Sequence, residues 1–169
     1  MLTDSVDAKE LFTCLDETWN ELLDLISFTD EKLVNKIPFE ESWTVGQLAR
    51  HVTKSNHQMV QLLQLPGETA NRGLADGEPN LKNIFLDFEA KYNAPESIVP
   101  ETKHYDKQAL LDDLINSIQQ LKEERSKQDV SKLLNVDLLG QLTKLELYYF
   151  MLYHTQRHIH QLKNMWKEL

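Results

Sequence analysis

Two histidines near the C-terminal end of the sequence have the spacing of metal ligands. His154 and His158 are four residues apart, and His160 follows them. Residues four apart on an α-helix lie on one face about one turn apart, so two imidazoles there can bind the same ion. At about 100° per residue, His160 lies roughly 200° around the helix from His158 and should face away. The pair needs a third ligand from another part of the chain.

The pair lies within an apolar stripe of the last predicted helix. Its members recur at spacings of four and three residues: Leu147, Met151, His154, His158, Gln161 and Met165. Such a stripe is typical of the buried face of a bundle helix. Burying a polar group without a partner costs about 1–3 kcal/mol. The two histidines therefore predict either a shared ion or hydrogen bonds in the core, and the pattern leaves both open.

His51 is the candidate for the third ligand. It belongs to a predicted helix that opens with a capping box, in which Thr44 is followed three residues later by Gln47. The apolar arc of this helix consists of Val45, Leu48, Val52, Met59, Leu62 and Leu63. His51 lies at the edge of that arc and can face the core, whereas His57 lies on the opposite side and should be solvated. Three histidines with an open position form the arrangement that binds and acidifies a water.

Four long helices should position these residues in an all-α fold. The chain is rich in Leu, Glu, Lys and Gln and has only five Gly and five Pro, so long stretches favour helix. The predicted long helices span residues 5–36, from 44 onwards, 106–128, and from 143 to the end. A long crossover joins the second to the third and contains a short helix at 81–92. One helical turn is predicted at Leu133–Leu134.

Composition excludes several classes of protein. The net charge is −9 with no basic block, so a nucleic-acid partner is not expected. No apolar run approaches the roughly 20 residues that span a bilayer. The acidic start lacks the pattern of a signal peptide, which predicts a cytoplasmic protein. The single cysteine, Cys14, excludes an internal disulfide and a cysteine zinc cluster, and is expected to be a small core residue.

Two segments resemble those of a known family. The stretch from Trp43 to Val52, WTVGQLARHV, resembles the second-helix segment of the DinB-like proteins, also called YfiT-like metal-dependent hydrolases. The pattern His154-x-x-Arg157-His158-x-x-Gln161 resembles their last-helix segment, and the separation of the two also matches. The resemblance covers nearly the whole chain. It implies a four-helix bundle of up-down-down-up type, as a single domain over residues 1–169.

The resemblance also implies a metal site. In that family one histidine from the second helix and two from the last bind a metal, which carries over to His51, His154 and His158. A divalent ion is implied, and Zn²⁺ or Ni²⁺ suits imidazole ligands. Some members are thiol transferases that use bacillithiol, mycothiol or glutathione, and many have no known activity. The family gives no protein base that can be placed here, and His160 departs from the small residue often found at its position.

Two interpretations of function follow. The first is a metal-dependent small-molecule enzyme, a hydrolase or thiol S-transferase, in which a metal-bound water or thiolate is the reactive group and a low-molecular-weight thiol is the candidate substrate. The second is a non-catalytic bundle that binds a metal or ligand, or merely contains core histidines. A second apolar row on the last helix could be further core or a self-association surface, and a homodimer is expected. The row consists of Tyr148, Leu152, Ile159 and Trp166.

Overall fold

Four long helices form the frame of the protein. The computed structural model describes the backbone of residues 2–169 and the side chains of residues 8–169. The helices, in chain order, are α1 (Leu2–Phe28), α2 (Val45–Leu63), α3 (Glu78–Phe85), α4 (Lys107–Lys127) and α5 (Lys144–Trp166), with a 3₁₀ turn at Glu96–Ile98. Of these, α3 is short and lies in the crossover segment, residues 64–106, between α2 and α4. None of the described helices combines the length and apolar character needed to span a membrane.

The first and last helices run side by side in the same direction. Near their beginnings, the ring of Phe12 packs edge-on against Tyr148, with centroids 5.2 Å apart. Near their ends, the Trp166 indole donates a 3.0 Å hydrogen bond to the hydroxyl of Thr29. Earlier residues of α1 contact earlier residues of α5, and later residues contact later ones, so the two helices are parallel. The chain must therefore cross the length of the bundle before α5 begins.

The two middle helices also form a parallel pair. Asn56 donates to Ser117 at 3.0 Å, and two turns further along both helices Gln64 donates to Glu124 at 3.1 Å. This pair runs opposite to α1, because Lys107 at the start of α4 donates to a carbonyl near the end of α1. The resulting order is up-down-down-up. The predicted all-α four-helix bundle is confirmed, including its long crossover.

The capping signals were accurate guides to where α2 and α5 begin. The Thr44 hydroxyl accepts from the Gln47 amide at 3.1 Å, and the Gln47 side chain accepts from the Thr44 amide at 2.9 Å. Thr143 and Glu146 repeat the same reciprocal pair at the start of α5. Each pair satisfies two backbone N–H groups that a helix start would otherwise leave without partners.

The predicted first helix was too long. It ends at Phe28 rather than at residue 36. Immediately afterwards, the Thr29 hydroxyl donates to the carbonyl of Leu25, and the Asp30 carboxylate accepts from the amide of Lys32. Such local side-chain bonds compete with the helical hydrogen bonds and favour turns.

The predicted helical turn at Leu133–Leu134 was wrong. Both residues lie in β2 (Lys132–Val136), which pairs antiparallel with β3 (Gly140–Thr143) and with the two-residue β1 (Glu68–Thr69), in the order β1-β2-β3. Gly140 closes the hairpin at φ 79°, a left-handed conformation that glycine adopts without steric cost. The hairpin leads directly into α5, so this small sheet fixes where the last helix starts.

The short helix of the crossover segment is also displaced from its predicted range of 81–92. It begins at Glu78, with Pro79 in its first turn, and ends at Phe85. The carboxylate of Asp87 then accepts from the amides of Glu89 and Ala90, which holds the chain in a turn. Phe85 is thereby left at the helix end.

The apolar core fills the space between the four long helices. Side chains with no exposed surface include Leu15 and Trp19 of α1, Leu48 of α2, Leu114 of α4 and Leu147 of α5. The lone cysteine, Cys14, is half-buried and packs against this core, in keeping with its predicted role.

Candidate metal centre

The structure brings the three predicted ligand histidines together inside the bundle. The Nε2 atom of His154 lies 3.2 Å from Nε2 of His51 and 3.1 Å from Nε2 of His158. One ring nitrogen from each lies within 4.8 Å of the others. Their exposed fractions are only 3%, 7% and 6% for His51, His154 and His158. These three residues form the histidine cluster, and they join α2 to α5.

The spacing of these nitrogens fits a small divalent ion. Two imidazole nitrogens bound at about 2.0–2.1 Å are roughly 3.3 Å apart at tetrahedral angles and roughly 3.0 Å apart at right angles. The two short separations in the cluster, 3.1 and 3.2 Å, lie between these values. The geometry is therefore compatible with either a four-coordinate or a six-coordinate ion, and it does not choose between Zn²⁺ and Ni²⁺.

Hydrogen bonds on the far side of two rings fix which nitrogen faces the cluster. Nδ1 of His51 donates to the backbone carbonyl of Ile98 at 2.9 Å. Nδ1 of His158 donates to the side-chain oxygen of Gln161, also at 2.9 Å. Since a neutral imidazole carries one proton, a proton on Nδ1 leaves Nε2 with a free lone pair. Both rings are thus held in the tautomer that can bind a metal through Nε2.

His154 differs from its two neighbours. Within residues 8–169, whose side chains are described, its Nδ1 makes no hydrogen bond, while its Nε2 lies within 3.2 Å of Nε2 of His51 and 3.1 Å of Nε2 of His158. In the metal-free protein, a proton on Nε2 of His154 can be shared with the two lone pairs beside it. That arrangement satisfies all three nitrogens without an ion, and a bound ion would take the place of this proton.

Burial keeps all three histidines neutral. Desolvation lowers the pKa of His51 below its usual 6.5, lowers that of His154 much further, and lowers that of His158 to about 3. Positive charge nearby acts in the same direction, from Lys54 on His51 and from Arg157 on the other two. Neutral imidazole is the form that binds metals, so the cluster is ready for an ion at neutral pH.

Aromatic rings enclose the cluster. Trp43 lies with its ring centre 4.9 Å from that of His51. The Phe150 ring stacks on His154 at 5.1 Å, and Phe85 meets the same imidazole edge-on at 6.0 Å. Trp43 and Phe85 are half-buried, so they lie between the cluster and the surface. These apolar walls lower the local polarity and limit the access of water.

Arg157 attaches the crossover segment to α5 beside the cluster. Its guanidinium donates to the backbone carbonyls of Phe85, Asp87 and Ala90 and lies 5.1 Å from the centre of the Tyr92 ring. The planar fork of arginine suits several acceptors at once. One side chain between His154 and His158 in the sequence thus holds the end of α3, and with it the Phe85 ring that encloses the cluster.

Polar residues of α2 hold the later part of the crossover segment. Lys54 donates to the carbonyl of Val99 at 2.8 Å, and Gln58 donates to the hydroxyl of Ser97 at 2.7 Å. Between these two attachments, Ile98 presents its carbonyl to His51. Sequence reasoning missed Ile98 because a backbone acceptor has no residue-type signal.

The remaining histidines lie outside the cluster, as predicted for two of them. His57 is exposed on the far side of α2, and His104 is exposed in the crossover segment. His160 faces outwards, where it stacks on Phe88 with ring centres 4.0 Å apart and accepts from Asn164. His57 is therefore a suitable control position for experiments on the cluster.

Comparison with known proteins assigns the family. A family model described as the DinB superfamily matches residues 15–162. The chain belongs to the DinB superfamily. A search of curated proteins finds no significant match.

Two solved structures share the fold. One is TT2238, described as a four-helix bundle protein, with a TM-score of 0.61 and 19% identity over 93% of this chain and 98% of that one. The other is YfiT from Bacillus subtilis, described as a probable metal-dependent hydrolase with an unusual four-helix bundle topology, with a TM-score of 0.60 and 14% identity over 95% of this chain and 86% of that one. Identities this low establish the fold alone.

Proposed function

We propose that His51, His154 and His158 bind one divalent metal ion and that the protein is a metal-dependent small-molecule enzyme of the hydrolase or thiol S-transferase type. The observation that carries the proposal is that three buried Nε2 atoms converge. The distances from Nε2 of His154 to those of His51 and His158, 3.2 and 3.1 Å, suit a shared divalent ion. The description of the YfiT fold relative as a probable metal-dependent hydrolase supports the same class of reaction.

The residues around the ligands have distinct roles in this proposal. Ile98 and Gln161 orient two of the imidazoles, and the rings of Trp43 and Phe85 shield the open side from water. When bound, the ion supplies a Lewis acid that lowers the pKa of a water or a thiol in its open position. A substrate would reach it past the crossover segment, so that segment would set the size and polarity of what is accepted.

A non-catalytic bundle is the second candidate. The observation that favours it is that the described contacts of the three imidazoles outside the cluster are a carbonyl, an amide oxygen and aromatic rings, with no carboxylate that could act as a general base. The three histidines can also satisfy one another by sharing a proton, since their Nε2 atoms lie 3.1 and 3.2 Å apart. A site that binds an ion or small ligand without turnover would need nothing more.

Metal binding is tested by competition with a chromophoric chelator. Wild-type protein should take up one Zn²⁺ or Ni²⁺ per chain. His158→Ala should lose stoichiometric binding while far-UV circular dichroism stays helical, and the exposed-site control His57→Ala should bind like wild type. Full binding by His158→Ala would refute the assignment.

Turnover is tested separately with the metal-loaded protein. A panel of low-molecular-weight thiols with electrophiles, together with hydrolysable esters and amides, should give a rate above that of the free ion. The rate should disappear in His158→Ala and persist in His57→Ala. Metal binding without any such rate would favour the non-catalytic bundle.

Several finer expectations belong to the proposal. Zn²⁺ and Ni²⁺ are the candidate ions, since both suit imidazole ligands. A thiol as substrate, a homodimer, a cytoplasmic location and a single domain over residues 1–169 rest on the sequence alone. Light scattering tests the homodimer directly, and a monomer would refute it.

A further inference from the structure

Both hydrogen-bond acceptors behind the cluster are uncharged. His51 donates to a backbone carbonyl, that of Ile98, and His158 donates to an amide oxygen, that of Gln161. Metal-binding histidines donate to carboxylates, carbonyls or water, and these partners differ in the charge that they add to the site. A carboxylate would transfer negative charge towards the ion, and an amide does not.

Among the described residues, no carboxylate contributes to the lowered pKa values of the three imidazoles. The electrostatic influences on the three imidazoles come from one another, from Lys54 and from Arg157. The carboxylate of Glu101 is paired with Arg50 and Lys54 on the outer side of α2. The carboxylate of Glu78 accepts from the hydroxyl of Tyr153. These residues would therefore not offset the positive charge of a divalent ion in the cluster.

We propose that Gln161 is a positioning residue that orients His158 through Nδ1 while leaving the site without negative charge, so that the ion takes a small anion or an ionised substrate group in its open position. This rests on the proposed three-histidine metal site. A buried charge is stable only when it is paired, and the protein supplies no partner here. The negative charge must then come with the ligand, which identifies the ligand class as anionic.

Two substitutions separate the orienting role of Gln161 from its neutrality. Gln161→Glu keeps an acceptor for Nδ1 of His158 but adds one negative charge. Gln161→Leu keeps most of the volume but removes the acceptor. Gln161 is only half-buried, at the surface end of the His158 hydrogen bond, so both variants should fold.

The experiment uses Co²⁺-loaded protein and azide as the probe anion. Azide binding is followed in the visible spectrum of Co²⁺, and Co²⁺ affinity is measured by chelator competition. Gln161→Glu should bind Co²⁺ at least as tightly as wild type but bind azide about 10-fold more weakly or worse, because the added charge opposes an anion. Gln161→Leu should bind Co²⁺ about 10–100-fold more weakly. Once loaded, it should bind azide within about threefold of wild type, because its charge is unchanged.

A readout on the metal-free protein checks the orienting role independently. In ¹⁵N spectra, His158 should carry its proton on Nδ1 in wild type and in Gln161→Glu, and should lose that preference in Gln161→Leu. A purely structural role for Gln161 would not change the tautomer.

The outcomes distinguish this inference from the proposed function. Wild type that takes up no Co²⁺ would overturn the metal site, and this inference with it. Wild type that binds Co²⁺ but no azide would overturn the anion preference alone. An azide affinity of Gln161→Glu within twofold of wild type would also overturn the anion preference alone.

Discussion

The buried carboxylate of Glu146 holds the crossover segment on the start of α5. It has no exposed surface and accepts two hydrogen bonds from the Arg72 guanidinium, at 2.6 and 2.7 Å. It also accepts from the backbone amides of Gly77, at 2.6 Å, and Thr143, at 2.9 Å. Burial alone would raise its pKa, but the Arg72 contact and these amides together lower it, so Glu146 is ionised at neutral pH.

Replacing Glu146 by alanine should therefore be costly. Removing one partner of a buried ion pair costs about 3–5 kcal/mol, because the other charge and its donors are left unpaired. Arg72 is partly exposed and can recover some hydration, which favours the lower half of that range. For a chain of this size, each kcal/mol corresponds to roughly 2–4 °C in Tm, so a fall of about 6–16 °C follows. Glu146→Gln keeps the shape but not the charge and should cost about 1.5–3 kcal/mol.

The assay is urea denaturation of the metal-free protein at neutral pH, followed by far-UV circular dichroism. Metal is left out because an ion bound only to the folded state would mask the loss. Lys163→Ala is the matched control, since it breaks an ion pair with Glu21 in which both side chains are about half exposed, 53% and 48%. That pair should contribute less than about 1 kcal/mol. A loss of stability in Glu146→Ala no greater than in Lys163→Ala would show that the buried Glu146 carboxylate contributes no more than an exposed ion pair.

Three further predictions concern acid stability, the α2 cap and the crossover segment. The histidines of the unfolded chain take up protons near pH 6.5, whereas the buried imidazoles of the folded protein stay neutral at that pH. The stability of the metal-free protein should therefore be highest above this pH and fall below it, with a shallower fall in His154→Leu. Urea denaturation at several pH values measures this. Thr44→Ala should destabilise the protein by about 1 kcal/mol in the same assay, and no loss would contradict the capping role. Arg157→Lys keeps the charge but loses the planar fork whose two terminal nitrogens reach three carbonyls. Limited proteolysis of residues 86–92 should then be faster, while the Zn²⁺ affinity stays within about threefold of wild type. Unchanged cleavage would count against the attachment of the crossover segment by Arg157.

Local signals in the sequence were sufficient to predict the helices that carry the ligands. The capping residues Thr44 and Thr143 act through bonds to amides three residues away, so the pattern itself contains the physical cause of each helix start. The helical period then fixes which histidines share a face, and His51, His154 and His158 do converge.

The parts that sequence reasoning could not supply depend on contacts between distant segments. The strand at Leu133–Leu134 forms because β1, more than 60 residues earlier, and β3 provide partners for it. The Ile98 carbonyl reaches His51 only because the crossover segment folds back over α2. Neither contact produces a recognisable sequence pattern at the residues that make it. The aromatic walls and the orienting hydrogen bonds thus needed the structure, whereas the three histidines of the cluster did not.

The metal content of the purified protein shows whether the histidine cluster holds one divalent ion. Untagged protein should be prepared without chelators or a nickel column and compared with His158→Ala and His57→Ala by elemental analysis. About one divalent ion per chain is expected in wild type and His57→Ala, and none in His158→Ala. An absence of metal from wild type even after incubation with Zn²⁺ and Ni²⁺, or full occupancy in His158→Ala, would contradict this expectation.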